Sequence, residues 1–165
     1  MSACVFPGSF DPVTRGHVNL IERAAGMFDS VTVTVMVNIA KSGVIPYEER
    51  VKLLRKACSH LPNVQVELWQ GLLADYMRGH PGSVVVRSVR NTAEFEQEMT
   101  AASVNGRLCP GLETVLIPAA AQWADVSSSA VREIAAFGGD ISGLVPENIC
   151  RDILERLKAA DARKE

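Results

Sequence analysis

The residues of this chain that could do chemistry are cations and hydroxyl side chains beside predicted strand ends and helix starts. His17 closes the loop Pro-Gly-Ser-Phe-Asp-Pro-Val-Thr-Arg-Gly-His, residues 7–17, between a short apolar run and a helical pattern. Gly8 lets the backbone approach a ligand closely, and the free N–H groups and dipole of the next helix attract an anion. The pattern predicts a nucleotide phosphate site, with His17 on the first helical turn facing the phosphate.

Three further cations follow predicted strands. Lys41 lies in the loop after the strand 31–37, and Arg87 and Arg90 follow the strand 83–86. Open α/β sheets place ligands at the carboxyl ends of their strands, and arginine can grip phosphate oxygens through two hydrogen bonds. We predict a phosphate role for the arginine pair, with surface salt bridges as the alternative. Lys41 is a candidate ligand whose alternative is simple solvation.

Two other stretches complete the candidate site. Three serines, residues 127–129, precede an apolar-periodic run, so they form a helix cap and a possible second anion site. Leu72 and Leu73 follow a strand end, where they either line the cleft or pack in the core. Acidic residues 94, 96 and 98 do not share one helix face at i, i+2 spacing, so solvation is expected for most of them.

The chain offers no activated nucleophile. No serine is paired with a histidine and a carboxylate, which argues against acyl transfer. Attack of one phosphate on another needs only that anions be brought together and the spreading charge stabilised. The four cysteines lack C-x-x-C spacing and paired histidines, so we predict no protein metal site and no disulfide framework.

The elements that must position these residues alternate between strand and helix patterns. Strands are predicted at 3–6, 31–37, 64–69, 83–86 and 114–118, with helices at 17–28, 46–61, 71–77 and 92–108, another after the serines, and one at 146–160. This order predicts an α/β fold: a Rossmann-like, open, mainly parallel five-stranded sheet with helices on both faces. The 165 residues, 47% of them hydrophobic, suit a single domain 1–165 with a frayed tail, 161–165.

Charge and hydropathy exclude two classes of partner. The net charge is −2, which gives no basic footprint for nucleic acid. No apolar run approaches the roughly 18 residues of a membrane-spanning helix, and the first ten residues lack a signal-peptide profile. The expected location is therefore the cytoplasm.

The motifs, taken in order, carry a family resemblance. Thr14-x-Gly16-His17 resembles the T/H-x-G-H signature of nucleotidyltransferases. With residues 7–12, Lys41, residues 48–50, Arg87-x-x-Arg90, Phe95-Glu96-x-Glu98 and serines 127–129, the chain closely resembles the bacterial phosphopantetheine adenylyltransferase family over residues 3–158. The pairing of Arg-x-x-Arg with three serines separates that family from other nucleotidyltransferases.

The resemblance implies a reaction and a ligand set. AMP is transferred from ATP to 4′-phosphopantetheine, giving dephospho-coenzyme A and pyrophosphate, with Mg²⁺. His17 stabilises the transition state and meets the α-phosphate together with Lys41. The implied acceptor ligands are Ser9, Lys41, Leu73 and Arg87. The implied ATP ligands are Ser9, Phe10, His17, Ser88, Val89, Arg90, Glu98, Trp123, Ala124, Asp125, Val126, Ser127, Ser128 and Ser129. A homohexamer and feedback by coenzyme A are also implied.

Four departures from the family pattern leave alternatives open. Ser88 replaces a glycine, Gln97 a tyrosine, Asn19 an aspartate and Ile39 a proline. One alternative is a sister nucleotidyltransferase that acts on another phosphate acceptor, such as nicotinamide mononucleotide or glycerol phosphate. The other is a non-catalytic paralogue that holds nucleotide in the altered Ser88 loop.

Overall fold

The computed structural model describes residues 2–37, 39 and 43–162. Lys41, a predicted catalytic and acceptor-binding residue, lies outside the described residues. Residues 163–165 of the predicted tail lie outside them as well.

A five-stranded parallel sheet forms the centre of the structure. Its strands are β1 Ala3–Gly8, β2 Ser30–Met36, β3 Val64–Trp69, β4 Ser83–Val89 and β5 Thr114–Pro118, in the order β3-β2-β1-β4-β5. Every neighbouring pair of these strands is parallel. The helices are α1 Arg15–Met27, α2 Tyr47–Ala57, α3 Leu73–Arg78, α4 Thr92–Leu108, α5 Ser128–Ala136 and α6 Cys150–Asp161, with short 3-10 turns at Ala121–Trp123 and Glu147–Ile149. The expected α/β fold is confirmed.

Several element bounds differ from the sequence expectation: β1 runs to Gly8 rather than residue 6, α1 begins at Arg15 rather than residue 17, α6 begins at Cys150 rather than residue 146, and β4 and α2 end elsewhere than predicted. β4 continues to Val89 because Arg87, Ser88 and Val89 pair with residues 116–118 of β5, and a strand tolerates polar residues that alternate between its faces. α2 ends at Ala57 rather than near Leu61. Tight turn bonds replace the helical pattern there, including one from the Leu61 N–H to the carbonyl of Cys58 at 2.9 Å.

The sheet buries both faces, and alternate residues of each strand define them. Cys4, Phe6 and Val86 join the larger core cluster, which is covered by helices α1, α2, α5 and α6. Val5 and Val85 point to the opposite face, where they pack with Tyr76 and Met77 of α3. By the same alternation, Arg87 lies on the α3 side of β4 and Ser88 on the α1 and α5 side.

A crevice forms between β1 and β4. Their register ends with Val5 opposite Val85, whereas β1 pairs with β2 as far as Gly8. The chain reverses direction across the sheet between β3 and β4, so β1 and β4 flank the topological switch point, where open α/β sheets bind ligands. Arg87 bridges the crevice by donating from Nη1 to the carbonyl of Pro7 at 2.8 Å.

Within the described ranges, no helix combines the length and apolar character needed to cross a membrane.

Candidate active site

His17 is held by the first turn of α1. Thr14 is the N-cap, and its hydroxyl accepts the backbone N–H of His17 at 3.3 Å. In return, Nδ1 of His17 accepts the backbone N–H of Thr14 at 3.0 Å. Because that N–H can only donate, Nδ1 carries a lone pair, and the neutral ring carries its proton on Nε2. The Thr-x-Gly-His spacing thus produces an imidazole that is oriented as a hydrogen-bond donor.

The surroundings of His17 keep its ring neutral. Burial lowers the pKa of His17 to about 4, and the positive charges of Arg90 and Arg87 act in the same direction. At neutral pH the group therefore offers a donor without a full charge.

Phe10 packs against the imidazole of His17. Its ring is buried and meets the His17 ring edge-on, with the two centroids 5.1 Å apart. Its backbone has φ 47°, which is uncommon for a residue other than glycine. A Cβ on Gly8 would lie only 2.9 Å from two atoms of the Phe10 ring. The absence of a side chain at Gly8 therefore allows the Phe10 ring to pack closely, in addition to the role expected from the sequence, a close approach of the backbone to a ligand.

Three cavities meet around Arg87. A groove of about 640 Å³ is lined mostly by apolar residues, which come from the ends of β1 and β2, the start of α3, β4 and α4. A second cavity of about 320 Å³ holds the polar and cationic groups His17, Arg90, Ser127 and Ser128. A third, of about 270 Å³, joins them and is lined by Gly8, Ser9, Phe10, His17, Arg87, Ser88 and Ser128, among others. We call these the apolar groove, the cationic cavity and the junction cavity; Arg87 lines all three.

Arg87 in β4 and Arg90 directly after it are both paired with carboxylates of α4. Arg87 makes a fork with Glu98, Nε to Oε2 at 2.9 Å and Nη2 to Oε1 at 2.6 Å. Arg90 donates from Nε to Oε1 of Glu94 at 2.8 Å, and its backbone N–H donates to Oε2 at 2.9 Å. These bonds hold the pKa of Glu94 below its usual value. The expectation that most of these acids are solvated is wrong for Glu94 and Glu98.

The three serines make different contacts. Ser127 is the N-cap of α5, and its hydroxyl accepts the N–H of Ala130 at 3.1 Å. Ser128 donates to the carbonyl of Pro12 at 2.7 Å, and Ser129 accepts from Nη2 of Arg132 at 3.3 Å. The serines therefore do both: Ser127 caps α5, and the side chains of Ser127 and Ser128 line the cationic cavity.

Comparison with known proteins decides the family. The family model described as cytidylyltransferase-like matches residues 5–134. Phosphopantetheine adenylyltransferases from Clostridium botulinum and Finegoldia magna are 41% and 45% identical to this chain. The first alignment covers 96% of this chain and 99% of the relative, and the second covers 92% and 94%. The chain belongs to the phosphopantetheine adenylyltransferase family. The resemblance read from its motifs is confirmed, and with it the class of enzyme, a nucleotidyltransferase.

A solved structure shows the same fold in a more distant relative. A Vibrio parahaemolyticus protein assigned as a nicotinate-nucleotide adenylyltransferase superposes with a TM-score of 0.63 at 20% identity. The match covers 94% of this chain and 96% of that one. At this identity the likeness bears on the fold alone.

Most predicted site residues of this chain come together in the three cavities. Ser9, Leu73, Arg87 and Glu98 line the apolar groove, and Leu73 also packs on the smaller core cluster, so both roles foreseen for it coexist. The cationic cavity gathers His17, Ser88, Arg90, Trp123, Val126, Ser127 and Ser128. Val89, Ala124, Asp125 and Ser129 do not line any of the three cavities.

Three of the four departures from the family pattern, Ser88, Gln97 and Ile39, line the same cavities. Ser88 lies in the extended strand β4 opposite Ile117, a backbone conformation that needs no glycine. Gln97 lines both the apolar groove and the cationic cavity, and Ile39 lines the groove. Asn19 is on α1, where Oδ1 is buried without a hydrogen-bond partner among the described residues.

Sequence reasoning assigned no role to Asp11, Arg50 or Arg132, yet the three converge behind the loop that carries Ser9. Arg50 is only 2% exposed. A signal for its burial was present, because Arg50 precedes the inward-facing Leu54 and Ala57 by four and seven residues and so shares their helix face.

Proposed function

We propose that this protein transfers the adenylyl group of ATP to 4′-phosphopantetheine, giving dephospho-coenzyme A and pyrophosphate by direct attack of one phosphate on the other. The observation that carries this proposal is the convergence of an apolar groove and a cationic cavity at Arg87 and His17. The groove suits a long, mostly apolar acceptor arm, and the cationic cavity suits a triphosphate. The junction cavity is where the two phosphates would meet.

The acceptor phosphate binds at Ser9 and Arg87 in this proposal, with Lys41 as a further ligand beyond the described residues. An oxygen of that phosphate attacks the α-phosphorus of ATP while the bond from that phosphorus to the bridging oxygen of pyrophosphate breaks. Pyrophosphate leaves with the electron pair of the broken bond. No side chain forms a covalent intermediate, so catalysis rests on positioning and on charge stabilisation.

His17 stabilises the α-phosphate as charge develops on its oxygens. The Nε2–H donor is fixed by the bond between Nδ1 and the Thr14 N–H, so little reorganisation is needed during the reaction. Arg90, with Ser127 and Ser128 at the start of α5, receives the departing pyrophosphate, because cations and helix N-terminal N–H groups both favour anions.

The glutamates of α4 hold both arginines in the structure. Guanidinium has five N–H groups, and Arg87 uses one for Pro7 and two for Glu98. Phosphate oxygens therefore take the remaining donors or replace the carboxylate. Glu98 repels phosphate, so its place in the ATP site is next to neutral donors such as ribose hydroxyls.

Mg²⁺ enters as part of the nucleotide substrate in this proposal. No group of three or more metal-ligating side chains occurs among the residues that the structure describes. Mg²⁺ typically binds through substrate phosphates and water with few protein ligands, and a MgATP substrate would bring its ion in this way. Bound there, the ion neutralises phosphate charge.

Three further proposals follow from family membership. Coenzyme A, which carries the same pantetheine arm as the acceptor, would compete for the apolar groove as a feedback inhibitor. A homohexamer would cover apolar side chains that α4 exposes, Phe95, Met99, Val104 and Leu108. The third proposal is a cytoplasmic location.

Pyrophosphate release is the test of this function. The purified protein is incubated with MgATP, with and without 4′-phosphopantetheine, and mass spectrometry looks for dephospho-coenzyme A. Release that requires the acceptor and yields that product is the expected result. ATP binding with no acceptor-dependent release would contradict the proposal.

A further inference from the structure

The loop between β1 and α1, residues 9–14, is held from behind by side chains outside it. The carbonyl of Ser9 accepts from Nη1 of Arg50 at 2.9 Å, and the carbonyl of Asp11 accepts from Nη1 of Arg132 at 2.5 Å. The carbonyl of Pro12 accepts from Ser128. Each of these carbonyl oxygens, which would repel a phosphate, is therefore occupied by a donor.

Asp11 ties this loop to the segment that precedes α2. Its side chain is nearly buried, with Oδ1 accepting the N–H of Ile45 at 2.8 Å and Oδ2 the N–H of Val44 at 2.9 Å. The carboxylate thus holds two consecutive backbone groups of a segment that is more than thirty residues away in sequence.

Arg50 closes the same connection from α2. Nε donates to the carbonyl of Ile45 at 2.7 Å, Nη1 donates to that of Ser9, and Nη2 lies 3.4 Å from Oδ2 of Asp11. The guanidinium also lies over the Tyr47 ring at 4.2 Å. A Cβ on Gly43 would come within 1.7 Å of Nη2, so the segment packs directly against the charge.

Stability alone is a weak reason for such an arrangement. A buried ion pair must overcome the desolvation of both charges, and well-packed apolar residues often replace one without loss of stability. What the fork supplies is geometry, because one planar group contacts two separate backbone segments and a carboxylate at fixed spacing.

We propose that Asp11 and Arg50 form a positioning pair for the acceptor side of the active site. They fix Ser9, which lines the apolar groove and the junction cavity, relative to residues 43–45 just before α2. Ile39, earlier in the same connection, lines the groove as well. The cationic cavity is built by α1, β4, α4 and α5 instead, together with the turn before α5. The pair therefore acts chiefly on the acceptor side, and its one link to the nucleotide side is the ion pair between Oδ2 of Asp11 and Nη1 of Arg132 on α5 at 3.8 Å. The inference rests on the proposed function.

Asp11→Asn is the first variant to measure. It is nearly isosteric, but it loses the charge, and its amide nitrogen cannot accept an N–H bond. Misplacement of a reacting group by about 1 Å can lower the rate about 100-fold. We expect kcat/KM for 4′-phosphopantetheine to fall about 10- to 100-fold. The Kd of a non-hydrolysable ATP analogue, measured by calorimetry, should stay within about threefold, because the backbone carbonyls of Asp11 and Pro12 still accept from Arg132 and Ser128 of α5.

Arg50→Lys is the second variant, in case Asp11→Asn does not fold. It keeps the positive charge beside Asp11, but a single ammonium cannot reproduce the planar fork to Ser9 and Ile45. As for Asp11→Asn, we expect kcat/KM for 4′-phosphopantetheine to fall while the Kd of the ATP analogue stays nearly unchanged.

Glu49→Gln is the matched control. Glu49 is the neighbour of Arg50 on α2, and its carboxylate pairs with Lys52 and Arg156, away from the loop. Its kinetics should match those of the wild type.

Three results would overturn the positioning role: acceptor kcat/KM within about threefold of the wild type in both variants, a parallel loss of analogue affinity, or failure of both variants to fold. Wild-type product formation is measured first. A missing dephospho-coenzyme A product would count against the proposed function, whereas normal product with unaffected variants would count against the positioning pair alone.

Discussion

At the scale of single residues, His17 is a neutral histidine whose tautomer is set by its own helix. The Thr14 N–H occupies Nδ1 and leaves Nε2–H for the substrate. Burial and two nearby arginines favour this neutral form. His17 is therefore suited to stabilising an oxyanion by a hydrogen bond.

Replacing His17 tests that role. His17→Gln should lower kcat about 100- to 1000-fold with little change in KM, because an interaction made mainly in the transition state is removed. Steady-state kinetics with varied acceptor would measure this. His60→Gln is the control, since that exposed imidazole pairs with a surface carboxylate, that of Glu22, with Nε2 to Oε1 at 2.8 Å. Near-normal turnover in His17→Gln would show that the imidazole is dispensable.

The protonation of His17 can be observed directly. With its pKa lowered to about 4 from an ordinary 6.5, the ring should show no titration between pH 8 and 5.5 by NMR. Between pH 6.5 and 4 the unfolded chain binds a proton that the folded chain does not, so this group makes the free energy of unfolding fall as pH decreases. His17→Gln should remove that contribution. A His17 resonance that titrates with a midpoint near 6.5 would refute the neutral, buried description.

At the scale of elements, the β1–α1 connection brings the site together. Gly8 ends β1 against the Phe10 ring, Phe10 supports the His17 ring, and Thr14 begins α1. The helix start and the loop therefore form one packed unit, in which a change at Gly8 reaches the imidazole through Phe10.

Gly8→Ala tests this packing. The added Cβ would approach the Phe10 ring to 2.9 Å, so we expect a stability loss of about 1–3 kcal/mol and reduced kcat. Gly26→Ala is the matched control, because nothing lies within 4 Å of a Cβ there and the residue is within α1. That change should raise stability by about 0.5–1 kcal/mol with activity retained. Urea unfolding and turnover measure both, and equal behaviour of the two variants would contradict the account.

The elements were largely predictable from sequence, and the network behind the site was not. Apolar periodicity and the turn residues located all five strands, and the Thr-x-Gly-His motif located the start of α1. The end of β4 was predicted too early because Arg87 looked like a loop residue, although its alternation with Val85 fits the pleat. The pairing of Asp11 with residues 44, 45 and 50 depends on how distant segments pack, and periodicity carries no information about that.

At the scale of the whole molecule, the order β3-β2-β1-β4-β5 explains where the cavities meet. Strand alternation sends Arg87 toward α3 and α4 and Ser88 toward α1 and α5, so the two cavities open on opposite sides of one strand end. Arg87 reaches both and bridges to Pro7 of β1. In the proposed mechanism, the fold thereby brings two anionic substrates to a single crevice without supplying a nucleophile.

The stereochemical course at the α-phosphorus tests this central claim most directly. The enzyme is given 4′-phosphopantetheine and one diastereomer of ATP that carries sulfur and an oxygen isotope on the α-phosphate, and the configuration of the product is determined by ³¹P NMR. A single direct attack predicts inversion at phosphorus. Retention would require two displacements and hence a covalent adenylyl-enzyme, which would contradict the account.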